Sequence, residues 1–238
     1  MVAPAPGAAP TPAVATVTVR SEAAMERLGA RFGVAASRGD VACLWGAMGA
    51  GKSVFARGFV RARLGDAALR VTSPTYLLDN AYEAEDGLVV HHMDLYRLTN
   101  LGEGAPLYML GFPHVLADGA CLIEWPQRLG DALPAPRLDV RIDAPAQDLR
   151  HVTLDASLLS SSGHPWTECV AAVAAEVAEG RVLDDLVDDD DDDDIGDDDD
   201  GGDDDVLVAT SSPPSPASSS SSSSSEHGSA GAPAGAPS

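Results

Sequence analysis

The octet Gly46 to Ser53 (GAMGAGKS) constrains the fold of this 238-residue chain more than any other feature. It matches Gly-x-x-x-x-Gly-Lys-[Ser/Thr], a loop whose backbone N–H groups surround the phosphates of a nucleoside triphosphate. The apolar run Val41–Trp45 precedes it, as expected of a buried parallel strand, and a helix is predicted from Gly51 to about Arg63. Because a strand, a glycine-rich loop and a helix in this order are the context that such a loop requires, we predict nucleotide binding.

Inside the octet, each residue type suits a phosphate ligand. Lys52 is the only lysine in the chain, and its ammonium on a flexible stem can follow phosphate oxygens as a point charge. The hydroxyl of Ser53 can bind Mg²⁺, and the glycines permit the turn and a close approach of the backbone. The predicted nucleotide-binding residues of the loop are Gly46, Met48, Gly49, Ala50, Gly51, Lys52 and Ser53.

Two further apolar runs, Leu88–Met93 and Ala120–Ile123, are each followed by an acid, Asp94 and Glu124. Ligands of open α/β sheets bind at the carboxyl ends of the strands, which is where both acids are therefore expected. An acid at a strand end can also be an ordinary cap in a solvated loop. In a chain that contains a phosphate loop, we favour a role for both acids in holding Mg²⁺ or positioning water.

The whole pattern predicts an α/β fold with a mostly parallel, P-loop NTPase-like sheet flanked by helices. We divide the chain into a flexible lead (1–15), a P-loop ATPase domain (16–183) and a tail (184–238). Further predicted elements of the domain are a strand at 16–20, a helix at 22–36, a hairpin of 138–142 with 151–154, and a final helix at 166–179.

Composition separates the tail from the rest of the chain. Of the 37 acidic residues, 16 are aspartates between Asp184 and Asp205 and one is Glu226, so residues 1–183 hold 20 acids against 15 bases, a net charge of −5. Aspartate runs and the eight serines of 218–225 cannot bury a core, so we predict a disordered, acidic and serine-rich tail. Direct binding of nucleic acid is not expected, because such binding needs clustered Lys and Arg side chains.

Cysteine usage and hydropathy predict a cytoplasmic protein. The three cysteines show no Cys-x-x-Cys spacing, and Cys43 and Cys121 lie in apolar runs, as buried reduced thiols do. Residues 1–12 lack the basic and apolar segments of a signal peptide, and no apolar run reaches the ~18 residues of a membrane span. We therefore expect no contact with a membrane.

Of two shorter patterns, one has two interpretations and the other indicates no functional site. The segment Thr72–Tyr76 (TSPTY) can be a Pro-containing surface turn, or a mobile segment whose Ser73 or Thr75 hydroxyl closes on the γ-phosphate. His91 and His92 are adjacent on a predicted strand and should point to opposite faces, so we assign them no shared metal.

Five segments, taken in order, resemble the TsaE family, also called YjeE. They are GAMGAGKS, VTSPTY (71–76), HHMDLYRL (91–98), LGF (110–112) and CLIEWPQRL (121–129). The resemblance covers about residues 16–155, and its specificity lies in the combination of SPTY, DLYRL and IEWP, because many families share the phosphate loop. It implies a bacterial ATPase that is needed to form threonylcarbamoyladenosine in tRNA. Its partners would be the TsaD and TsaB proteins, with tRNA contacted only indirectly.

The resemblance also implies roles for individual residues. Lys52 and its loop would bind the ATP phosphates, and Mg²⁺ would be held by Glu124 and by Ser53, which stands where the family usually has threonine. Asp94 looks like the acid that assists hydrolysis, and Thr75 would lie near the γ-phosphate. The predicted catalytic residues are therefore Asp94, Lys52 and Thr75.

The match to the family is looser elsewhere. Glu22, at the start of the first predicted helix, falls where the family approaches the nucleotide base. Ala47 stands where the family loop commonly has an acid, and residues 102–109 lack most of the acidic helical residues usual before LGF. The tail has no counterpart in the family pattern, and none of these departures removes a phosphate or metal ligand.

Two other functions remain as alternatives. A small-molecule or nucleoside kinase needs an acceptor pocket and usually an arginine-bearing lid, and between Tyr96 and Arg128 the only arginines belong to DLYRL and IEWPQRL. That sparsity argues against such a lid. A nucleotide-gated binding module with negligible catalysis is the other alternative, because a candidate acid such as Asp94 does not by itself establish turnover.

Overall fold

The computed structural model describes residues 12–98, 111–159 and 163–181. Within these ranges the strands are β1 Val14–Val19, β2 Val41–Trp45, β3 Asp79–Glu83, β4 Val89–Asp94, β5 Ala120–Glu124, β6 Leu138–Ala146 and β7 Leu149–Asp155. The helices are α1 Glu22–Val34, α2 Lys52–Leu64, α3 Phe112–Asp118 and α4 Pro165–Ala178, with a 3₁₀ segment at Pro126–Ala132. None of the helices in these ranges is long and apolar enough to cross a membrane. The predicted tail (184–238) and the 102–109 stretch lie outside the described residues.

The described strands form one sheet in the order β1-β7-β6-β2-β5-β4-β3. Its four central strands, β6, β2, β5 and β4, are parallel, as the sequence predicts for a P-loop NTPase-like α/β fold. The edges are antiparallel, since β7 pairs with β6 and β1, and β3 pairs with β4, so the sheet as a whole is mixed. Loop length explains the antiparallel β6–β7 and β3–β4 pairs, because such short connections cannot make a parallel crossover.

Several predicted boundaries shift in the structure. The first strand begins at Val14, two residues before the predicted Thr16, because β7 continues the antiparallel pairing back to Val14 and Asp155. The lead predicted for residues 1–15 therefore overlaps this strand. Strand β3 (DNAYE) and helix α3 were not predicted, since β3 is a polar edge strand without apolar alternation and α3 is only seven residues long. The other predicted strands and helices are confirmed to within about two residues, except that β6 runs on to Ala146.

Helices cover both faces of the sheet. Helices α1, α2 and α4 bury one face, whereas Phe112 of α3 and Leu129 of the 3₁₀ segment pack on the other face with Cys43 and Cys121. Trp166 of α4 is fully buried and donates its indole N–H to the Phe32 carbonyl of α1 at 2.9 Å. The core is thus built on both sides of β2 and β5, whose residues are almost all buried.

Helices α1 and α2 approach each other closely through glycines. A Cβ atom at Gly58 of α2 would lie 1.9 Å from the Glu26 carbonyl oxygen, and one at Gly29 of α1 would lie 2.1 Å from the Phe55 carbonyl oxygen. The Glu26 carboxylate also accepts hydrogen bonds from Arg57 at 2.9 Å and from the next turn of α2. These contacts set the position of α2 against α1, and α2 begins with the lysine and serine of the phosphate loop.

Candidate functional site

The phosphate loop connects the end of β2 to the start of α2. Gly46 has φ 148°, and a Cβ atom there would lie 2.6 Å from the Ile142 carbonyl oxygen of β6. Gly51 caps α2 with φ 111°, in the region that favours glycine. Both glycines of the sequence pattern are therefore required by the backbone path of the loop.

The loop presents free backbone donors at the start of a thirteen-residue helix. Among the described residues, the amides of Gly51, Lys52 and Ser53 donate no hydrogen bond to a backbone carbonyl. The first N–H groups of a helix lack intrahelical partners, and the helix dipole favours negative charge at the same end. This end of α2 is therefore suited to an anion such as a phosphate group.

Lys52 is held against its own loop. Its ammonium donates hydrogen bonds to the carbonyl oxygens of Gly46 at 3.0 Å and Ala47 at 2.8 Å, and it lies 4.3 Å from the ring centroid of Trp125. Burial lowers the pKa of Lys52 below its ordinary value, while the nearby carboxylates of Glu124 and Asp94 act to raise it. An ammonium with two neutral acceptors can exchange them for the charged oxygens of a phosphate.

The two predicted acids are register partners on adjacent parallel strands, Asp94 at the end of β4 and Glu124 at the end of β5. The Ser53 hydroxyl donates to Glu124 Oε1 at 2.7 Å, so both predicted metal ligands are in direct contact. Among the described residues, no group of three or more His, Cys, Asp or Glu side chains could hold a metal by itself. A hydroxyl and one carboxylate do fit Mg²⁺, which usually keeps several waters and binds substrate phosphates.

The segment that contains Thr75 lies against Asp94. The carboxylate oxygen Oδ2 accepts hydrogen bonds from the hydroxyls of Thr75 at 2.7 Å and Ser73 at 3.3 Å, and Oδ1 accepts one from the Tyr96 amide at 2.9 Å. Asp94 is only 4% exposed. Of the two interpretations of this segment, its position beside Asp94 favours the functional one over a remote surface turn.

His92 also belongs to this arrangement, although it was not predicted from the sequence. His91 and His92 do point to opposite faces, as predicted, with His91 bonded to Asp79 at 2.8 Å. His92, however, is fully buried and its Nε2 lies 2.9 Å from Glu124 Oε1. The two-residue spacing from His92 to Asp94 on one strand was the available signal, since alternate residues of a strand share a face.

Two adjoining cavities surround the loop. One of about 420 Å³ is lined by predicted residues from five separate stretches of sequence, and the other has about 290 Å³. Glu22 lines both cavities, and Ala50 lines the smaller one. Gly46 lines neither cavity, and its contribution is the turn that it permits. The predicted residues that line the larger cavity are Glu22, Met48, Gly49, Gly51, Lys52, Ser53, Thr75, Asp94 and Glu124.

Arg150 of β7 connects the loop to the β6–β7 turn. Its Nε donates to the Ala50 carbonyl at 2.9 Å, and its Nη1 donates to the carbonyls of Ala146 and Gln147 at 3.0 and 2.8 Å. Arg150 and Gln147 also line the smaller cavity. One guanidinium thereby holds the phosphate loop against the wall of the adjoining cavity.

Comparison with known proteins gives the relationship of this chain. The family model described as "Threonylcarbamoyl adenosine biosynthesis protein TsaE" matches residues 19–152. The chain is 35% identical over 144 residues to the tRNA threonylcarbamoyladenosine biosynthesis protein TsaE of Bacillus subtilis, covering 59% of this chain and 83% of that protein. It is 31% identical over 156 residues to the protein of the same name from Streptomyces coelicolor, covering 63% of this chain and 99% of that protein.

A solved structure agrees with these matches. The crystal structure of Bacillus subtilis YdiB is similar with a TM-score of 0.51 and 26% sequence identity, over 67% of this chain and 94% of that chain. The matched range 19–152 contains the phosphate loop, both strand-end acids and the Thr75 segment, which are the parts that the fold brings together around one cavity. On these grounds the chain belongs to the TsaE family.

Proposed function

We propose that this protein is a cytoplasmic, Mg²⁺-dependent ATPase that acts with the TsaB–TsaD complex in forming threonylcarbamoyladenosine in tRNA. Family membership supports the pathway, because the related proteins carry the name tRNA threonylcarbamoyladenosine biosynthesis protein TsaE. One observation carries the ATPase assignment: Lys52, Ser53, Asp94 and Glu124 line a single cavity at the start of α2. Three free cysteines are compatible with a reducing compartment.

In this proposal the nucleotide spans both cavities. The phosphates bind the amides at the start of α2 and the ammonium of Lys52, which leaves the carbonyls of Gly46 and Ala47. The nucleoside then occupies the cavity of about 290 Å³, where Glu22 and Met25 form part of the wall. Its volume is close to the lower end of typical ligand pockets, which suits one end of a ligand that extends into a second cavity.

The metal is held by Ser53 and Glu124. Because the Ser53 hydroxyl donates its proton to Glu124, its lone pairs are free to face a cation. A Mg²⁺ ion held by these two residues would neutralise part of the phosphate charge. Glu124 is only 3% exposed, so its charge is directed at the site and is little screened by water.

Hydrolysis needs a water oriented toward the γ-phosphorus, and we assign that role to Asp94. The water forms a new oxygen–phosphorus bond while the bond from phosphorus to the β–γ bridging oxygen breaks, which releases ADP and inorganic phosphate. The hydroxyls of Thr75 and Ser73 donate hydrogen bonds to the Asp94 carboxylate. In the proposed reaction, the segment that carries them moves toward the γ-phosphate, and water replaces the two hydroxyls at Asp94.

Turnover by the isolated protein is expected to be slow. None of the described residues that line the larger cavity is an arginine, and an arginine at the γ-phosphate typically contributes a factor of about 10³–10⁵ to such reactions. A partner protein that supplies the missing charge would accelerate turnover. The resemblance to the TsaE family is the reason for proposing the TsaB–TsaD complex as that partner.

The test is ATP hydrolysis by the purified protein with and without the TsaB–TsaD complex. We expect stimulation by the complex that is lost in Lys52→Ala. Arg181→Ala is the matched control, because it removes the same charge from an exposed residue that is paired with Glu179 at the end of α4. Indifference of the unmodified protein to the complex would count against the partner assignment, and activity retained in Lys52→Ala would count against the site.

Asp94→Ala distinguishes an ATPase from a nucleotide-gated binding module. Loss of turnover with ATP affinity retained supports the ATPase, whereas absence of turnover in the unmodified protein even with partners supports the module. Assays with candidate sugars and nucleosides address the kinase alternative, since acceptor-dependent phosphorylation would contradict hydrolysis as the reaction.

A further inference from the structure

His92 makes a buried contact with the proposed metal site from inside the protein. Its side chain has no exposed surface, and its Nε2 lies 2.9 Å from Glu124 Oε1. An ionised carboxylate can only accept hydrogen bonds, so Nε2 is the protonated nitrogen of the imidazole in this contact. The other nitrogen, Nδ1, is buried and has no hydrogen-bond partner among the described residues.

Glu124 is held by donors from two directions. The Ser53 hydroxyl at 2.7 Å and His92 Nε2 at 2.9 Å both donate to the same oxygen, Oε1. Ser53 belongs to α2, which lies over the sheet, and His92 belongs to β4 beside Glu124 in the sheet itself. Two donors that converge on one oxygen restrict rotation of the carboxylate, and its second oxygen can then face a cation in a defined direction.

The contact is not explained by packing. An imidazole in the interior with one nitrogen unpaired is less favourable than an apolar side chain of similar size, because the unpaired nitrogen is desolvated without compensation. His92 therefore contributes through the bond to Glu124. Outer hydrogen bonds of this kind fix the orientation of a metal-binding carboxylate and raise its affinity for the metal.

We propose that His92 is a positioning residue that orients the Glu124 carboxylate for Mg²⁺ in the nucleotide complex. The inference rests on the proposed function, because it assigns Glu124 to the metal. His92 touches neither nucleotide nor metal, and it acts only through the hydrogen bond from Nε2. The affinity for Mg²⁺ should therefore depend on a donor at the Nε2 position, whereas phosphate binding by the loop should not.

The test compares two amide substitutions. In His92→Gln the side-chain amide reaches the position of Nε2 and can donate to Glu124, whereas in His92→Asn the amide lies near the position of Nδ1 and leaves the Nε2 position empty. Calorimetric titration of ADP over a series of Mg²⁺ concentrations gives the apparent affinity for Mg²⁺ in the complex. Titration in EDTA gives the affinity for ADP alone.

We expect His92→Asn to weaken the apparent Mg²⁺ affinity by about tenfold, the lower end of the range for such outer hydrogen bonds. His92→Gln should retain the affinity to within about threefold, and ADP affinity in EDTA should be nearly unchanged in both variants. His91→Gln is the matched control, because His91, on the opposite face of β4, bonds the Asp79 carboxylate through Nδ1 at 2.8 Å, a position that glutamine leaves empty. It should leave the Mg²⁺ affinity unchanged.

Equal Mg²⁺ affinities for the unmodified protein, His92→Asn and His92→Gln would overturn the inference while leaving the proposed function intact. Loss of ADP affinity in EDTA would also overturn it, since it indicates general damage to the site. Thermal unfolding without ligand identifies a variant that does not fold. If only His92→Gln folds, a tenfold or greater loss of Mg²⁺ affinity in that variant overturns the inference and retention supports it. Failure of the unmodified protein to bind ADP with Mg²⁺ would instead refute the proposed function.

Discussion

Gly58→Ala separates two opposing physical effects at the contact between α1 and α2. By helix propensity alone, alanine in the interior of α2 should stabilise the protein by about 1 kcal/mol relative to glycine. In the structure, a Cβ at Gly58 lies 1.9 Å from the Glu26 carbonyl oxygen and 2.6 Å from two further backbone atoms of Glu26. Ordinary contact between carbon and oxygen begins at about 3.3 Å, so the helices must separate locally by about 1.4 Å.

The clash outweighs the propensity. Overpacking a well-packed interior costs about 1–3 kcal/mol, and here the obstacle is backbone that cannot rotate away, so we take about 3 kcal/mol. Subtracting the propensity gain of about 1 kcal/mol leaves a net destabilisation of about 2 kcal/mol. With a urea m-value of about 2 kcal/mol/M, the unfolding midpoint should fall by about 1 M.

Urea unfolding followed by circular dichroism measures this difference. Ala175→Gly, on the exposed face of α4, is the matched control for propensity, and it should lower the free energy of unfolding by about 1 kcal/mol. A midpoint for Gly58→Ala equal to or above that of the unmodified protein would refute the steric argument. Because α2 begins with the phosphate loop, the variant should also bind ADP more weakly, since a shift of about 1 Å at a site is enough to impair it.

Three further predictions concern the site and the core. Thr75→Val removes the 2.7 Å hydrogen bond to Asp94 and should lower the free energy of unfolding by about 1 kcal/mol, measured in urea; an unchanged value would show that the bond is absent in solution. Burial raises the pKa of Cys43 and of Cys121 to about 12, so at pH 8 both thiols stay protonated; a thiol reagent should label them only after unfolding, and rapid labelling of the native protein would contradict their burial. Arg150→Met removes the donors that hold the phosphate loop to the β6–β7 turn and should weaken ADP binding by about fivefold in calorimetry, whereas unchanged binding would show that the loop keeps its shape without them.

Much of the site was predictable because its parts are local patterns. The glycine-rich loop, the lysine and the serine form one continuous octet. A buried apolar strand before the octet is enough to place it at the carboxyl end of the parallel strands. The positions of Asp94 and Glu124 followed from the same logic, since carboxyl ends of parallel strands meet at one edge. The edge strand β3 was not predictable in this way, because its stability comes from pairing with β4 and its own sequence shows no apolar alternation.

The sequence by itself determined the strand–loop–helix unit, the acids at two strand ends and the family, since each depends on residues that are close together in the chain. The tertiary structure alone decided which groups touch: Ser53 and His92 on one oxygen of Glu124, and Thr75 on Asp94. It also decided that a Cβ atom at Gly58 would meet the backbone of Glu26 in α1. The physical reason is that these contacts join side chains and backbone from different elements, such as His92 and Glu124 at 32 positions apart, and short-range periodicity carries no information about register across a sheet or the distance between two helices.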